Sequence, residues 1–275
     1  MSETKAVTKK ENGSVSTAVL KQMQADEGLG LDAIGQEDLT IPLIKLVQKT
    51  SPEVDPEDPK FIEGAVFGDM INSVTKKLWK ASDGMRVVPC AYQRVFNEYK
   101  AEGGYLGPRD TNDPEMQNLK RVGNKDYMQN GNEVQLTAQF YCLVEDTDSG
   151  IWSQAILGMK STSLKVSRNW NARIVDSRIN SGKAVMRLPY FGGIWRLSSS
   201  IERREIEENG KKTKASWAIY SVGDRESLTI VESEELYEQA KAFHMLVKDG
   251  LVKAAPDEEL QESQDQEPSS EESPF

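Results

Sequence analysis

One histidine and two cysteines are all that the 275 residues offer of the side chains most used in proton-relay, nucleophilic and transition-metal chemistry. A Ser-His or Cys-His mechanism would have to run through His244, which lies beside the apolar positions of a helical segment, where a structural role is the ordinary one. Cys90 and Cys142 sit in apolar, strand-like runs. Two thiols cannot build a cysteine zinc site, and a disulfide is not needed, so they read as buried thiols of a reducing compartment. No stretch approaches the roughly 20 apolar residues that span a bilayer. Met1 to Ser14 is Lys- and Glu-rich and lacks the apolar block of a secretion signal, so the expected location is the cytoplasm. The phosphate-cradling pattern Gly-x-x-x-x-Gly-Lys-Ser/Thr is also missing: Gly182-Lys183 is followed by Ala184 and has no glycine at the earlier position, which argues against a P-loop ATPase or helicase. Nothing calls for a cofactor, and the chain is expected to be non-enzymatic. Apolar residues are scarce as well, 37% of the chain, so part of it is expected to lie outside any core.

What is present is mainly strand-like. Residues 1–15 are polar and aperiodic and read as a disordered leader. Ser16 is positioned to cap a short helix ending near Asp26. Leu39 to Val47 fits either an edge strand or a short helix, and Ser51 to Pro59, with three prolines and four acids, is a loop. Strands are expected over Phe61–Ile71, Met85–Phe96, Val134–Val144 and Ile151–Met159, with Val134, Leu136, Ala138, Phe140 and Cys142 on one face of the third. Glu98 to Asn132 is rich in glycine and asparagine and reads as a long excursion that orders on a ligand. Ser161 is the expected cap of a helix closed by Ser181-Gly182. Tyr190–Glu207 and Thr213–Val222 form a hairpin about Asn209-Gly210. Ser233 caps a last helix with Leu236, Ala240, Phe243 and Val247 as its apolar stripe and Gly250 beyond its end. The fold class is mainly β (α+β). A helix between the third and fourth strands of a five-stranded barrel is an OB-fold-like layout, with one early strand added and extra helices at both ends. Residues 16–255 form that domain, and 256–275 an acidic, disordered tail.

The charge is unevenly distributed. Eight acids and no bases fall within 257–275, so of the 44 acids in the chain 36 remain for the body, against 34 basic residues. From Gly158 to Arg225 there are fourteen basic residues and six acidic ones, the local surplus that a polyanion site requires. Four of the five tryptophans lie in or just before this stretch. Single strands offer a charged backbone and unstacked base faces, so binding without sequence preference needs cations for the first and flat rings for the second. The candidate DNA contacts are Lys160, Lys165, Arg168, Arg173, Arg187 and Arg196, with stacking from some of Trp170, Tyr190, Trp195 and Tyr92. The serines and threonine at the start of Lys160–Arg173 expose N–H groups suited to a phosphate.

The tail ends in Ser273-Pro274-Phe275 after Glu271 and Glu272. A terminal ring suits an apolar pocket, its carboxylate a basic partner, and the acids steer it there. An acidic tail closing in Pro-Phe, together with the Lys160–Arg173 segment, Pro189-Tyr190-Phe191-Gly192-Gly193 and the Asn209-Gly210 hairpin, resembles the single-stranded DNA-binding proteins of bacteria and phages. That resemblance implies an OB-fold core, sequence-independent coating of single-stranded DNA in phage replication and recombination, and a tail (Glu271, Glu272, Pro274, Phe275) that recruits replication and recombination proteins and competes with DNA for the groove. Two other readings stand beside it. One is a replication or recombination mediator acting mainly through protein contacts. The other is a metal-dependent nuclease built on Asp83 and Glu98-Tyr99-Lys100.

Overall fold

The computed structural model describes residues 16–26, 29, 41–102, 104–123, 125–180, 182, 184–208, 211–223, 229–230 and 233–252. The leader before Ser16, the Asn209-Gly210 turn and the acidic tail with Glu271, Glu272, Pro274 and Phe275 lie outside these residues. The chain divides into two compact units, Met1–Leu39 and Thr40–Phe275. In the first, helix α1 (Thr17–Ala25) starts where expected, with Ser16 Oγ accepting the Val19 N–H at 3.3 Å.

The second unit is built on one sheet. Its strands are β1 (Leu43–Leu46), β2 (Met70–Asn72), β3 (Leu78–Trp79), β4 (Met85–Tyr99), β5 (Tyr105–Asp110), β6 (Lys120–Val122), β7 (Lys125–Tyr127), β8 (Glu133–Glu145) and β9 (Trp152–Lys160). After helix α2 (Ser163–Val175) come the short hairpin strands β10 (Arg178–Asn180) and β11 (Val185–Arg187), then β12 (Gly193–Glu208), β13 (Lys211–Val222), β14 (Thr229–Ile230) and helix α3 (Glu234–Lys248). The sheet order is β13-β12-β4-β8-β9-β1-β2-β3, with β5 beside β4, β7 beside β8 and β14 beside β12. Its pairs are antiparallel except β1 with β9, which is parallel.

This sheet is open but curled. Strands β1 and β13 share no ladder, yet side chains stitch them together. Gln48, just past β1, accepts the Ala218 N–H at 2.9 Å and donates to the Ala218 carbonyl at 3.1 Å. Its amide thus replaces one peptide group of a missing strand, satisfying edge groups that would otherwise stay unpaired. The Tyr220 hydroxyl donates to the Ile44 carbonyl at 2.7 Å.

Both faces of the sheet centre are covered. On the inner face Ile44, Met70, Met85, Val87, Phe140, Leu157, Met159 and Leu197 close around Trp170 and Ile174 of α2 and Trp195 of β12. On the outer face Val88, Cys90, Tyr141, Leu143 and Ile156 receive the α3 stripe Leu236, Ala240, Phe243 and Val247. That double cover is why β8 alternates well yet carries apolar residues on both sides. The α3 boundaries follow the expectation: Ser233 Oγ accepts the Leu236 N–H at 3.0 Å, Glu234 and Glu235 occupy the first turn, and Lys248 the last. Cys90 and Cys142 are free, buried thiols. Burial pushes the Cys90 thiol up to about 12 and that of Cys142 well above its ordinary value.

Three expectations are corrected and one open choice is decided. Leu39–Val47 resolves to a strand over Leu43–Leu46. Of Phe61–Ile71 only Met70 onward is a strand; the rest turns at Gly64 (φ 81°) and Gly68 (φ 100°), where a Cβ on Gly68 would also crowd Ser199 Oγ at 3.2 Å. Glu98–Asn132 is an ordered β arm, not a bare excursion: β4 continues to Tyr99, and β5 to β7 extend the sheet over a small core of Met116, Met128 and Val134 backed by Phe96 and Leu119. Ser161 is not the cap of α2. It has φ 50°, Thr162 is the capping residue without a side-chain cap bond, and the helix ends at Val175, before the β10–β11 hairpin whose turn holds Gly182.

Candidate nucleic-acid interface

The two tryptophans named as stacking platforms belong to the core. Trp170 and Trp195 are each 1% exposed. Trp170 stacks on Phe140 at 4.5 Å and meets Trp195 edge-on at 6.2 Å, so neither offers a face to a base. Arg173 is a strut beneath them. Its guanidinium lies 4.9 Å from the Trp195 ring centre and donates to the carbonyls of Val222, at 3.3 Å, and Gly223. Tyr190 packs on the inner core and donates its hydroxyl to Asn171 Oδ1 at 2.7 Å. Burial raises its phenol well above the ordinary range. Tyr92 leans on Phe140 at 5.0 Å, and its phenol is also raised by burial, against the pull of Arg94 and Arg168.

The other named cations stay at the surface but are not gathered on one element. Lys165 and Arg168 are exposed on α2. Arg187 is exposed on β11, opposite Arg178. Arg196 projects from β12 and donates to the Asp83 carbonyl at 2.7 Å. Lys160, at the end of β9, opens onto a groove. Glu98, proposed as a nuclease carboxylate, is buried in the arm: Arg109 Nε donates to it at 2.6 Å and Asn132 Nδ2 at 2.6 Å. Burial alone would push its carboxyl up, but the bonds from Asn132 and Arg109 hold it below the ordinary glutamate range.

The groove has a volume of about 670 Å³ and assembles a different set of residues. Ala138, Phe140, Leu157 and Met159 point into the inner core, so the alternate residues Thr137, Gln139, Gly158 and Lys160 form an outward floor on β8 and β9. Gly158 presents no side chain there; a Cβ would sit 3.6 Å from Thr137 Cγ2. The groove continues over the β1–β13 seam, where Lys45, Gln48 and Ala218 line it. Trp217 of β13 and Arg204 of β12 come from the long hairpin, and Tyr99 and Tyr105 from the junction of β4 and β5. The two tyrosine rings are 5.7 Å apart and tilted by 54°. Trp217 is half-buried and anchors its indole N–H on Thr162 Oγ1 at 3.1 Å.

Three cations, Lys45, Lys160 and Arg204, therefore share the lining with four rings, Tyr99, Tyr105, Trp217 and the buried Tyr220, and with the amides of Gln48, Asn97 and Gln139. Its acid is Glu53. Lys160 and Arg204 are exposed and in no ion pair among the described residues. Cations beside accessible flat rings suit a charged strand with unstacked bases. Sequence reading placed Lys160 here and counted Trp217 and Arg204 among the interleaved rings and charges. It missed Tyr99 and Tyr105, which lay in the supposed excursion, and Lys45, in the undecided segment.

No curated protein and no solved structure matches the chain. The model of one family, the Pam3 phage gp34-like protein, matches residues 9–253; the chain belongs to that phage protein family.

Proposed function

We propose that this chain binds single-stranded DNA without sequence preference in the groove over β8, β9, β1 and β13, as a non-enzymatic coat protein of phage replication or recombination in the host cytoplasm. The acidic segment 257–275, with Glu271, Glu272, Pro274 and Phe275, serves as its contact for replication and recombination proteins. The observation that carries this reading is the position of the groove in the topology. Strands β4, β8 and β9 form a meander, α2 follows the third of them, β12 returns to pair antiparallel with β4, and β13 pairs beyond it. This order supports an OB-barrel reading of the curled sheet, in which β1 is inserted between the third and fifth barrel strands. OB-folds bind oligonucleotides on the face of their second and third strands, between the loop joining strands 1 and 2 and the loop joining 4 and 5. The groove floor is on β8 and β9. One wall comes from β5, which follows the first barrel strand, and the other from the β12–β13 hairpin.

Intrinsic tryptophan fluorescence of the full chain, titrated with oligo-dT and with duplex of the same length, tests the reading. Oligo-dT is expected to quench and the duplex to leave the signal unchanged. Trp217→Ala should weaken oligo-dT binding by about tenfold or more, since one stacked base contributes roughly 1–3 kcal/mol. Absence of oligo-dT binding at low salt would reject the groove as a DNA site and favour the protein-contact mediator; cleavage of the oligonucleotide with magnesium would favour the nuclease.

A further inference from the structure

The start of α2 differs chemically from the rest of the groove wall. Ser161, Thr162 and Ser163 all line the groove there, directly after Lys160. The helix runs for 13 residues, has no acid in its first turn and no side-chain cap bond. The N–H groups of Thr162 and Ser163 have no acceptor among the described residues. By contrast, α3 satisfies its own N-terminus with Ser233, Glu234 and Glu235.

Ser163 supplies an independent sign. It is 8% exposed, and its hydroxyl makes no hydrogen bond among the described residues. Nor is that hydroxyl sealed away: the enclosed, unpartnered side-chain atom among the described residues is Trp170 Nε1. A hydroxyl on a residue so nearly buried, in the groove lining and without a partner among the described residues, leaves its hydrogen-bonding capacity to whatever enters the groove. The groups that this end of the groove lining offers are donors and a cation: helix N–H groups, the Ser163 hydroxyl and the Lys160 ammonium. The Thr162 hydroxyl oxygen already accepts from Trp217, which leaves its proton free to point outward. A helix N-terminus with such neighbours favours a compact anion.

We infer that Lys160, Ser163 Oγ and the first-turn N–H groups of α2 form a fixed seat for one phosphate group of the bound strand. The inference rests on the single-strand reading of the groove. It adds a discrete anchor to what would otherwise be diffuse attraction, placed beside Trp217 so that a seated phosphate and a stacked base are neighbours on the strand.

The test uses the full chain, wild type and Ser163→Ala, with two probes: oligo-dT, and inorganic phosphate compared with chloride at matched ionic strength. Ser163→Ala is expected to weaken oligo-dT binding about tenfold, with an unchanged salt slope because no charge is lost. Its thermal midpoint should stay at the wild-type value or rise, since the hydroxyl has no partner to lose. Ser163→Thr, which keeps a hydroxyl, should retain binding and covers the case in which the alanine variant folds poorly. Lys160→Gln should lower the salt slope by about 0.7, the value for one phosphate contact on a single strand. Phosphate should compete with oligo-dT better than chloride for the wild type and no better for Ser163→Ala. If the wild type binds oligo-dT while Ser163→Ala binds equally well and phosphate competes only as chloride does, the seat is rejected and the groove reading stands. If oligo-dT does not bind, yet phosphate raises the thermal midpoint of the wild type and not of Ser163→Ala, the seat stands and the nucleic-acid reading falls.

Discussion

At the residue scale, Arg173 shows how a cation can leave the binding inventory and enter the structural one. Its charge is met by the π face of Trp195 and by two carbonyls at the end of β13. Those carbonyls would otherwise face a half-buried edge unpaired. Arg173→Ala should therefore lower unfolding stability by about 1–3 kcal/mol, the range for hydrogen bonds to a charged group and a partly desolvated cation–π contact, and leave oligo-dT affinity within about twofold. Urea denaturation and a fluorescence titration on the same variant separate the two; a large loss of affinity with unchanged stability would return Arg173 to the DNA interface. The sequence could not make this distinction, because the partners lie 22 to 50 positions away in the chain. The same limit governs the rings. Alternation along a strand says that Trp195 and Arg196 face opposite ways, but it does not say which of Trp195 and Trp217 meets the helix inside and which meets the groove.

At the scale of elements, legibility followed capping chemistry and periodicity. Both terminal helices, the β12–β13 pair and the core of β8 were readable because Ser16, Ser233 and the 3.6- and 2-residue repeats are local signals. The β5–β7 arm was hidden because its few apolar residues are irregularly spaced and it is held largely by ladder bonds and a charge network on the buried Glu98, which leave no periodic trace. Glu98 is the centre of that network, between Arg109 and Asn132. Its carboxyl is held below its unfolded value of about 4.3, so the stabilisation it gives is complete above that value and is lost as the pH falls through the lower, folded one. The arm is therefore expected to loosen on acidification below about pH 4. Near-UV circular dichroism of the Tyr99–Tyr105 pair would report this as a pH-dependent loss of signal. Glu98→Gln should remove that pH dependence, while costing some stability at neutral pH. A wild-type signal that stays flat down to the onset of global unfolding would mean that the arm does not depend on this carboxylate.

For the whole molecule, net charge is a poor guide and its distribution a better one. The chain carries −10 overall, but eight of its 44 acids fall within 257–275, where no basic residue offsets them. The remaining body is close to neutral, so attraction for a polyanion must come from local placement, as in a groove with three cations against one acid. If the groove binds DNA as proposed, a block of eight anions tethered to such a body is expected to act on it as a competing polyanion held at high effective concentration. Deleting residues 257–275 should therefore tighten oligo-dT binding several-fold at about 0.05 M salt. The gap between the two forms should narrow towards about 1 M, where the screening length falls to about 3 Å. The thermal midpoint of the truncated chain should match that of the full one, because the described residues that cover the two sheet faces all lie outside the deleted segment. Fluorescence titrations at both salt concentrations check the prediction. Equal or weaker binding by the truncated chain at low salt would mean that the acidic segment does not act on the groove.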